Sequence, residues 1–107
     1  MSNQNRAVII KTFEQLNKAE LYEIIQLRIA VFIIEQDCPY QDLDGMDDQG
    51  LHMWIEEDGE IVSYLRINPA ATRFTEPSLG RIVTKMTYRN KGLGEILINK
   101  AIEEVCK

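Results

Sequence analysis

The sequence predicts an α+β fold, a mixed α/β arrangement in the order β-α-loop-β-β-β-α. Three observations predict it. Asp58-Gly59 separates two β-rich runs, which is among the strongest short-range hairpin signals. Apolar residues recur at three- and four-residue spacing after Asn17 and again after Gly92, the period of a helix. Residues 79–94 read as strand, polar loop, two glycines and the start of a helix.

Taken in order, residues 7–13 (Ala-Val-Ile-Ile-Lys-Thr-Phe) are β-rich and predict a first strand. Asn17-Lys18-Ala19-Glu20 has the form of a capping box, so a helix is expected to follow, to about Glu35. Leu21, Ile24, Ile25 and Phe32 supply its apolar stripe, and Arg28 falls near that face. Pro39 closes off the helix. Residues 36–50 form a loop rich in Asp and Gly. Its Asp42-Leu43-Asp44-Gly45 matches part of a calcium-loop pattern, but the alignment puts Tyr40 and Leu51 at the first and last ligand positions. Both are wrong for an EF-hand, and no metal is expected. Residues 51–57 and 60–68 are the hairpin strands, 68–77 a loop, 79–84 the next strand, and the closing helix runs from about Gly92 to Cys106. Leu93, Ile96, Leu97, Ala101, Ile102 and Val105 form its apolar stripe. No repeat, low-complexity tract or long linker divides the chain, so residues 1–107 are read as one domain.

The strand-loop-helix stretch points to chemistry. A helix N-terminus offers backbone donors without intrahelical acceptors and a positive dipole end, which suits phosphate. Between Arg81 and Gly94 there are four cations (Arg81, Lys85, Arg89, Lys91) and no carboxylate. Gly92 and Gly94 would let a ligand approach the main chain closely. A P-loop would need Gly-Lys-Ser/Thr, and the dinucleotide fingerprint a third glycine where Leu97 stands.

The bulk properties narrow the classes. Apolar residues at 45 % and charged residues at 27 % are ordinary for a soluble globular protein. No apolar run is long enough to span a membrane, and the N-terminal six residues lack a signal-peptide layout. Cys38 and Cys106 have no metal-ligand spacing, and buried, inert, reduced thiols in a cytoplasm are expected. A net charge of −5 argues against nucleic acid as the main partner. From Glu35 to Glu60 there are ten carboxylates and no Lys or Arg, which is either solvated surface or a region attractive to a cation.

Arg89-Asn90-Lys91-Gly92-Leu93-Gly94 fits Arg/Gln-x-x-Gly-x-Gly/Ala and resembles the pyrophosphate loop of the GNAT superfamily of N-acetyltransferases. Leu27-Arg28-x-x-Val31-Phe32-x-x-Glu35-Gln36-x-Cys38-Pro39-Tyr40-Gln41-x-Leu43-Asp44-Gly45-x-Asp47 resembles the ElaA-type branch, as do Leu65-Arg66 and Glu76-Pro77-Ser78-Leu79-Gly80-Arg81-Ile82-Val83-Thr84. The resemblance implies acetyl-coenzyme A as co-substrate and a primary amine, small molecule or peptide, as acceptor. It implies that Ile82, Val83 and Thr84 lie beside the pantetheine arm, and that Arg89, Asn90, Lys91, Gly92, Leu93 and Gly94 wrap the pyrophosphate. A backbone N–H near Val83 would polarise the thioester carbonyl. Glu35, where the helix meets the acidic loop, is the first candidate for the base that takes the amine proton. His52 is read as a structural histidine, Trp54 and Tyr40 as core or pocket wall, and at least one of Arg28 and Arg66 as a buried partner of carboxylates such as Asp44.

GNAT domains normally continue with further strands and a helix, whereas this sequence ends at Lys107, so the fold is expected to be C-terminally shortened. The strand ending at Thr84 would then present an edge, and a homo-oligomer or a destabilised fold is expected, which light scattering distinguishes. The alternative to acetyl transfer is a non-catalytic shortened GNAT domain that binds coenzyme A or a protein partner. Acyl-homoserine lactone synthesis on a similar fold is a more distant reading, with no acyl-carrier docking surface visible in the sequence.

Overall fold

The computed structural model describes residues 7–69 and 77–106. The elements are β1 (Val8–Thr12), α1 (Lys18–Ile29), a π-helical continuation (Ala30–Glu35), β2 (Leu51–Glu57), β3 (Glu60–Asn68), β4 (Ser78–Thr84), a 3-10 turn (Met86–Tyr88) and α2 (Leu93–Val105). The expected order is therefore observed. Most of the loop expected over 68–77, with Glu76, lies outside the described residues, as do residues 1–6 and Lys107.

The strands form one antiparallel sheet in the order β1-β2-β3-β4. Asp58 (φ 55°) and Gly59 (φ 78°) both take the left-handed conformation between β2 and β3, as a type I′ hairpin turn demands. The two helices cover opposite faces of the sheet. On one, Leu93, Leu97 and Ala101 of α2 pack on Met53, Ile55, Leu65 and Ile67. On the other, Ile24, Leu27 and the π-helical Val31 pack on Trp54, Ile61, Tyr64 and Val83. Trp54 is thus a core residue, fully buried, with its Nε1 donating to Glu56 Oε2 at 3.0 Å.

The capping box at α1 is formed: Glu20 N donates to Asn17 Oδ1 at 2.7 Å, and Asn17 N to Glu20 Oε1 at 3.0 Å. The helix does not stay α-helical to Glu35. From Ala30 it widens into π geometry, with Gln36 N donating to Val31 O (3.2 Å) and Cys38 N to Ile33 O (3.1 Å), each five residues back. The run Val31-Phe32-Ile33-Ile34 is rich in β-branched side chains that crowd a standard α turn. Short π segments recur at functional sites.

The pairing of β3 with β4 is interrupted. Tyr64 faces Val83 and Arg66 faces Gly80, so Arg81 and Ile82 together oppose Leu65. This is a β-bulge, and its first residue, Arg81, has φ 53°. For a residue with a Cβ, the left-handed conformation costs about 1–2 kcal/mol.

Candidate functional site

Two clusters surround β4. The first gathers the predicted site residues. The 3-10 turn after β4 leads into Asn90 (φ 65°) and Gly92 (φ 76°), the left-handed N-cap of α2. No side chain caps α2, and Ile96 N is bonded to Gly92 O, so the N–H groups of the turn before it have no helical acceptor. A Cβ at Gly92 would meet nothing within 4 Å, and one at Gly94 would lie 3.8 Å from Thr84 Oγ1. The main chain there is open to a close approach. Lys91 Nζ sits 5.5 Å from the Tyr88 ring centroid, and Leu93 anchors the helix in the core. These features fit a pyrophosphate: bare backbone donors, a positive dipole end and two nearby cations.

Arg89 occupies the centre of this cluster. Its Nε donates to Thr84 O at 3.0 Å, and its Nη1 and Nη2 grip Glu35 at 2.5 and 2.8 Å. The sequence places Arg89 and Glu35 in different predicted roles; the structure joins them in one bidentate ion pair. The hydrogen bonds from Arg89 hold the Glu35 carboxyl below its usual range. While so paired, Glu35 is a weak proton acceptor. On β4, Val83 is buried against α1, Ile82 is 39 % exposed, and Thr84 Oγ1 lies 2.9 Å from Ser63 Oγ. A groove of about 820 Å³ runs between α1 with its π turn and the adjoining ends of β3 and β4. Leu27, Val31, Ile34, Ile61 and Met86 line it, and Glu35 stands at its wall. Two further carboxylates line it: Glu23, which accepts from Ile61 N at 2.7 Å, and Glu60, which pairs with Lys85.

The second cluster is a closed ring of six alternating charges. Arg28 Nη1 lies 2.8 Å from Asp47 Oδ1, and Asp47 Oδ1 also lies 2.7 Å from Arg66 Nη1. Arg66 Nη2 meets Asp44 Oδ2 at 2.8 Å, and Asp44 Oδ2 meets Arg81 Nη2 at 3.2 Å. Arg81 Nε reaches Asp42 Oδ1 at 3.2 Å, and Asp42 Oδ2 returns to Arg28 Nε at 3.0 Å. Both Arg28 and Arg66, not just one of them, are buried ion-pair partners. Gly50 makes room for this ring, since a Cβ there would lie 2.8 Å from Arg66 Cγ. Three of the ten carboxylates between Glu35 and Glu60 follow neither reading, since Asp42, Asp44 and Asp47 are spent on the chain's own arginines. Tyr40 lies over Arg81, with the guanidinium 5.6 Å from its ring centroid, and its hydroxyl donates to Asp42 Oδ1 at 2.9 Å.

His52 is structural. It is fully buried, with Nε2 donating to the Asp47 carbonyl at 2.9 Å and Nδ1 accepting from the Tyr64 hydroxyl at 2.6 Å. The tautomer follows from the carbonyl, which can only accept. Cys38 and Cys106 are both exposed, contrary to the expected burial. Cys38 follows the π turn on a surface loop, and Cys106 ends α2, where no core element covers it. No group of three or more His, Cys, Asp or Glu among the described residues is placed to hold a metal. No helix among them is long and apolar enough to cross a membrane.

These groups give stability a definite pH dependence. Burial pushes the Asp44 and Asp47 carboxyls up, but the arginine hydrogen bonds outweigh it and hold both below the usual range. Burial pushes the His52 imidazole down. All three bind protons more readily in the unfolded chain, so each contributes stability that is lost as pH falls. Loss is expected to begin below about pH 6.5, where the unfolded His52 titrates, and to steepen below about pH 4, where unfolded aspartates do. Thermal melts from pH 8 to pH 3 should show a plateau above about pH 7 and a two-stage decline. A Tm independent of pH over that range would contradict this.

The sequence profile of the acetyltransferase (GNAT) family matches residues 17–106. Protein ElaA of Escherichia coli is 36 % identical over 91 residues, covering 83 % of this chain and 60 % of that protein. The chain thus spans about three fifths of the length of the curated relatives it matches. The crystal structure of E. coli ElaA superposes with a TM-score of 0.87 at 31 % identity, covering 94 % of this chain and 69 % of that one. An acyl-CoA N-acyltransferase from Pseudomonas aeruginosa gives 0.85 at 34 % identity, covering 91 % and 68 %. An aminoglycoside 6'-N-acetyltransferase complexed with coenzyme A shares the fold, with a TM-score of 0.69 at 20 % identity over 92 % of this chain and 55 % of that one.

Proposed function

The chain belongs to the acetyltransferase (GNAT) family, in its ElaA-type branch, and from that premise we propose that it transfers an acetyl group from acetyl-coenzyme A to a primary amine. The observation that carries this reading is the uncapped, glycine-opened N-terminus of α2 beside Arg89 and Lys91, directly after β4. Acetyl-coenzyme A supplies the acetyl group as a thioester, which a neutral amine attacks. In this reading the N–H groups at the start of α2, with Arg89, Asn90, Lys91, Gly92, Leu93 and Gly94, hold the pyrophosphate. Ile82, Val83 and Thr84 line the pantetheine arm, and a main-chain N–H near Val83 donates to the carbonyl oxygen as negative charge grows there. The amine nitrogen bonds to the carbonyl carbon and its proton passes to Glu35, directly or through water; collapse of the tetrahedral intermediate then breaks the C–S bond, and coenzyme A leaves as a thiolate that takes a proton from solvent.

The Glu35–Arg89 pair adds a condition. Phosphate oxygens compete with Glu35 for the same guanidinium, and a carboxylate released from that pair recovers basicity. The groove beside Glu35 offers an apolar floor and charged walls to the acceptor, which suits an amine carried on an apolar stem. The pairing of Glu35 is also the observation that favours a second reading, coenzyme A binding without turnover.

Calorimetric titration of acetyl-coenzyme A, with desulfo-coenzyme A alongside, tests the proposal. Saturable binding of both is expected. Gly92→Val should abolish it, because a branched side chain would stand where the main chain is open to the pyrophosphate, while its φ of 76° limits the expected loss of stability to about 1–2 kcal/mol, which a thermal melt checks. No binding at millimolar ligand would sink the proposal. Amine-dependent release of free thiol separates the transferase from the non-catalytic reading.

A further inference from the structure

We infer that Arg81 is a positioning residue: its guanidinium, locked between Asp42 and Asp44, fixes the β4 bulge and thereby the main chain of Ile82 and Val83 that faces the thioester. The inference rests on the acetyl-transfer reading above.

The bulge is unusual in its first residue. A left-handed residue at this position is ordinarily glycine, which pays no Cβ penalty. Here it is Arg81, with φ 53°. A strained conformation persists only where its surroundings over-determine it. The surroundings are the ion ring. Arg81 reaches Asp42 Oδ1 through Nε (3.2 Å), and Asp44 Oδ2 (3.2 Å) and the Asp42 carbonyl (3.0 Å) through Nη2. Those carboxylates are themselves gripped by Arg28 and Arg66, whose side chains are 0 % and 2 % exposed. The Tyr40 ring covers the guanidinium. On the far side of the bulge, Val83 and Thr84 are clamped again, their backbone paired with Tyr64 and Ser63 and their polar atoms touched by Ser63 Oγ. The bulge is therefore pinned at both ends, and Arg81 is the pin that reaches outside the sheet. The ladder pairing skips at Arg81 and Ile82, which is where main-chain donors become available to a ligand. Such a donor acts on a developing oxyanion only if it is held in place beforehand.

Isotope-edited infrared spectroscopy of acetyl-coenzyme A labelled with carbon-13 at the carbonyl reads that donor directly, because a hydrogen bond lowers the carbonyl stretching frequency. The test compares wild type with Arg81→Gly. Glycine accepts φ 53° but does not enforce it, and the fold is expected to survive because Asp42 keeps Arg28 and Asp44 keeps Arg66. The wild type should shift the bound carbonyl to lower frequency. Arg81→Gly should lose most of that shift while its desulfo-coenzyme A dissociation constant changes by less than about threefold, since the pyrophosphate loop is untouched. A retained shift, or no shift in the wild type, overturns the role of Arg81 and leaves cofactor binding standing. An equal loss of desulfo-coenzyme A affinity overturns it too, since Arg81 would then support the whole cleft. If the wild type fails to bind acetyl-coenzyme A, the acetyl-transfer reading and this inference both fall. Should Arg81→Gly not melt cooperatively, Arg81→Lys takes its place. It preserves the charge but reaches one carboxylate only, so a lost shift supports the inference and a kept one overturns it.

Discussion

Asp47→Ala is expected to destabilise the protein by about 3–5 kcal/mol, the cost of removing one partner from a buried ion pair. A domain of this size is stable by only about 5–15 kcal/mol, so the variant should lie close to unfolding at body temperature. One oxygen joins the two buried arginines. Asp47 Oδ1 accepts from Arg28 Nη1 at 2.8 Å and from Arg66 Nη1 at 2.7 Å, and neither arginine reaches solvent. Truncation leaves three guanidinium groups facing two carboxylates, with the excess positive charge where water cannot solvate it. Asp47→Asn separates the contributions. It keeps an acceptor of the same shape but removes the charge, so its loss should be intermediate. The half-buried pair Lys11–Glu20, also 2.7 Å long, makes the contrast: its side chains are 31 % and 19 % exposed, and breaking it should cost under about 1 kcal/mol. Urea denaturation of the variants decides the matter. If Asp47→Ala stays within about 1 kcal/mol of wild type, the ring contributes little to stability.

That ring also marks the boundary of what the sequence discloses. The local signals were readable because each is decided within a few residues. Asn17 with Glu20 caps α1, Asp58-Gly59 turns the hairpin, and Gly92 starts α2. Even the family was legible, since the pyrophosphate hexapeptide and the Leu27 to Asp47 pattern are contiguous strings. Arg28, near the apolar face of α1, and Arg66, within the apolar run of β3, gave a weaker signal. Their closure into a ring with Arg81 was hidden, because it joins α1, the acidic loop, β3 and β4 across separations of 14 to 39 residues. The bulge was hidden for a different reason. Leu79 to Thr84 is a β-rich run whose one left-handed residue carries a long side chain, and nothing local announces a conformation that distant aspartates impose. The π turn belongs to the same class. Apolar periodicity continues through residues 30–35 whether the turn is α or π, so only the hydrogen-bond spacing reveals it. That hidden turn carries Glu35 to Arg89, and so decides how the proposed base meets the loop proposed to hold the cofactor.

If Arg89 holds the pyrophosphate as proposed, Arg89→Ala should weaken coenzyme A binding by about tenfold or more, because charge-assisted hydrogen bonds of that kind are worth about 1.5–3 kcal/mol before solvent screening. Loss of Glu35 should act in the opposite direction. The guanidinium now paired with Glu35 at 2.5 and 2.8 Å has to be surrendered to the phosphate, so Glu35→Gln should bind desulfo-coenzyme A more tightly than wild type, by less than about tenfold because the pair is partly exposed. The two effects must be coupled. In an Arg89→Ala background there is no guanidinium to compete for, and Glu35→Gln should then leave affinity unchanged. Calorimetry on the four proteins closes the cycle. Turnover adds the second half of the argument. If Glu35 also accepts the amine proton, Glu35→Gln should bind the cofactor more tightly and yet release thiol more slowly, a combination that a purely structural ion pair does not produce. Because Arg89 holds the Glu35 carboxyl below its usual range, Glu35 is ionised throughout neutral pH, so the rise of rate with pH should follow deprotonation of the amine and persist in Glu35→Gln. Equal affinity of Glu35→Gln and wild type would show that phosphate does not contest this arginine, and the pair would then be a surface clasp between the π turn and the end of β4, with Arg89 Nε on Thr84 O as its other anchor.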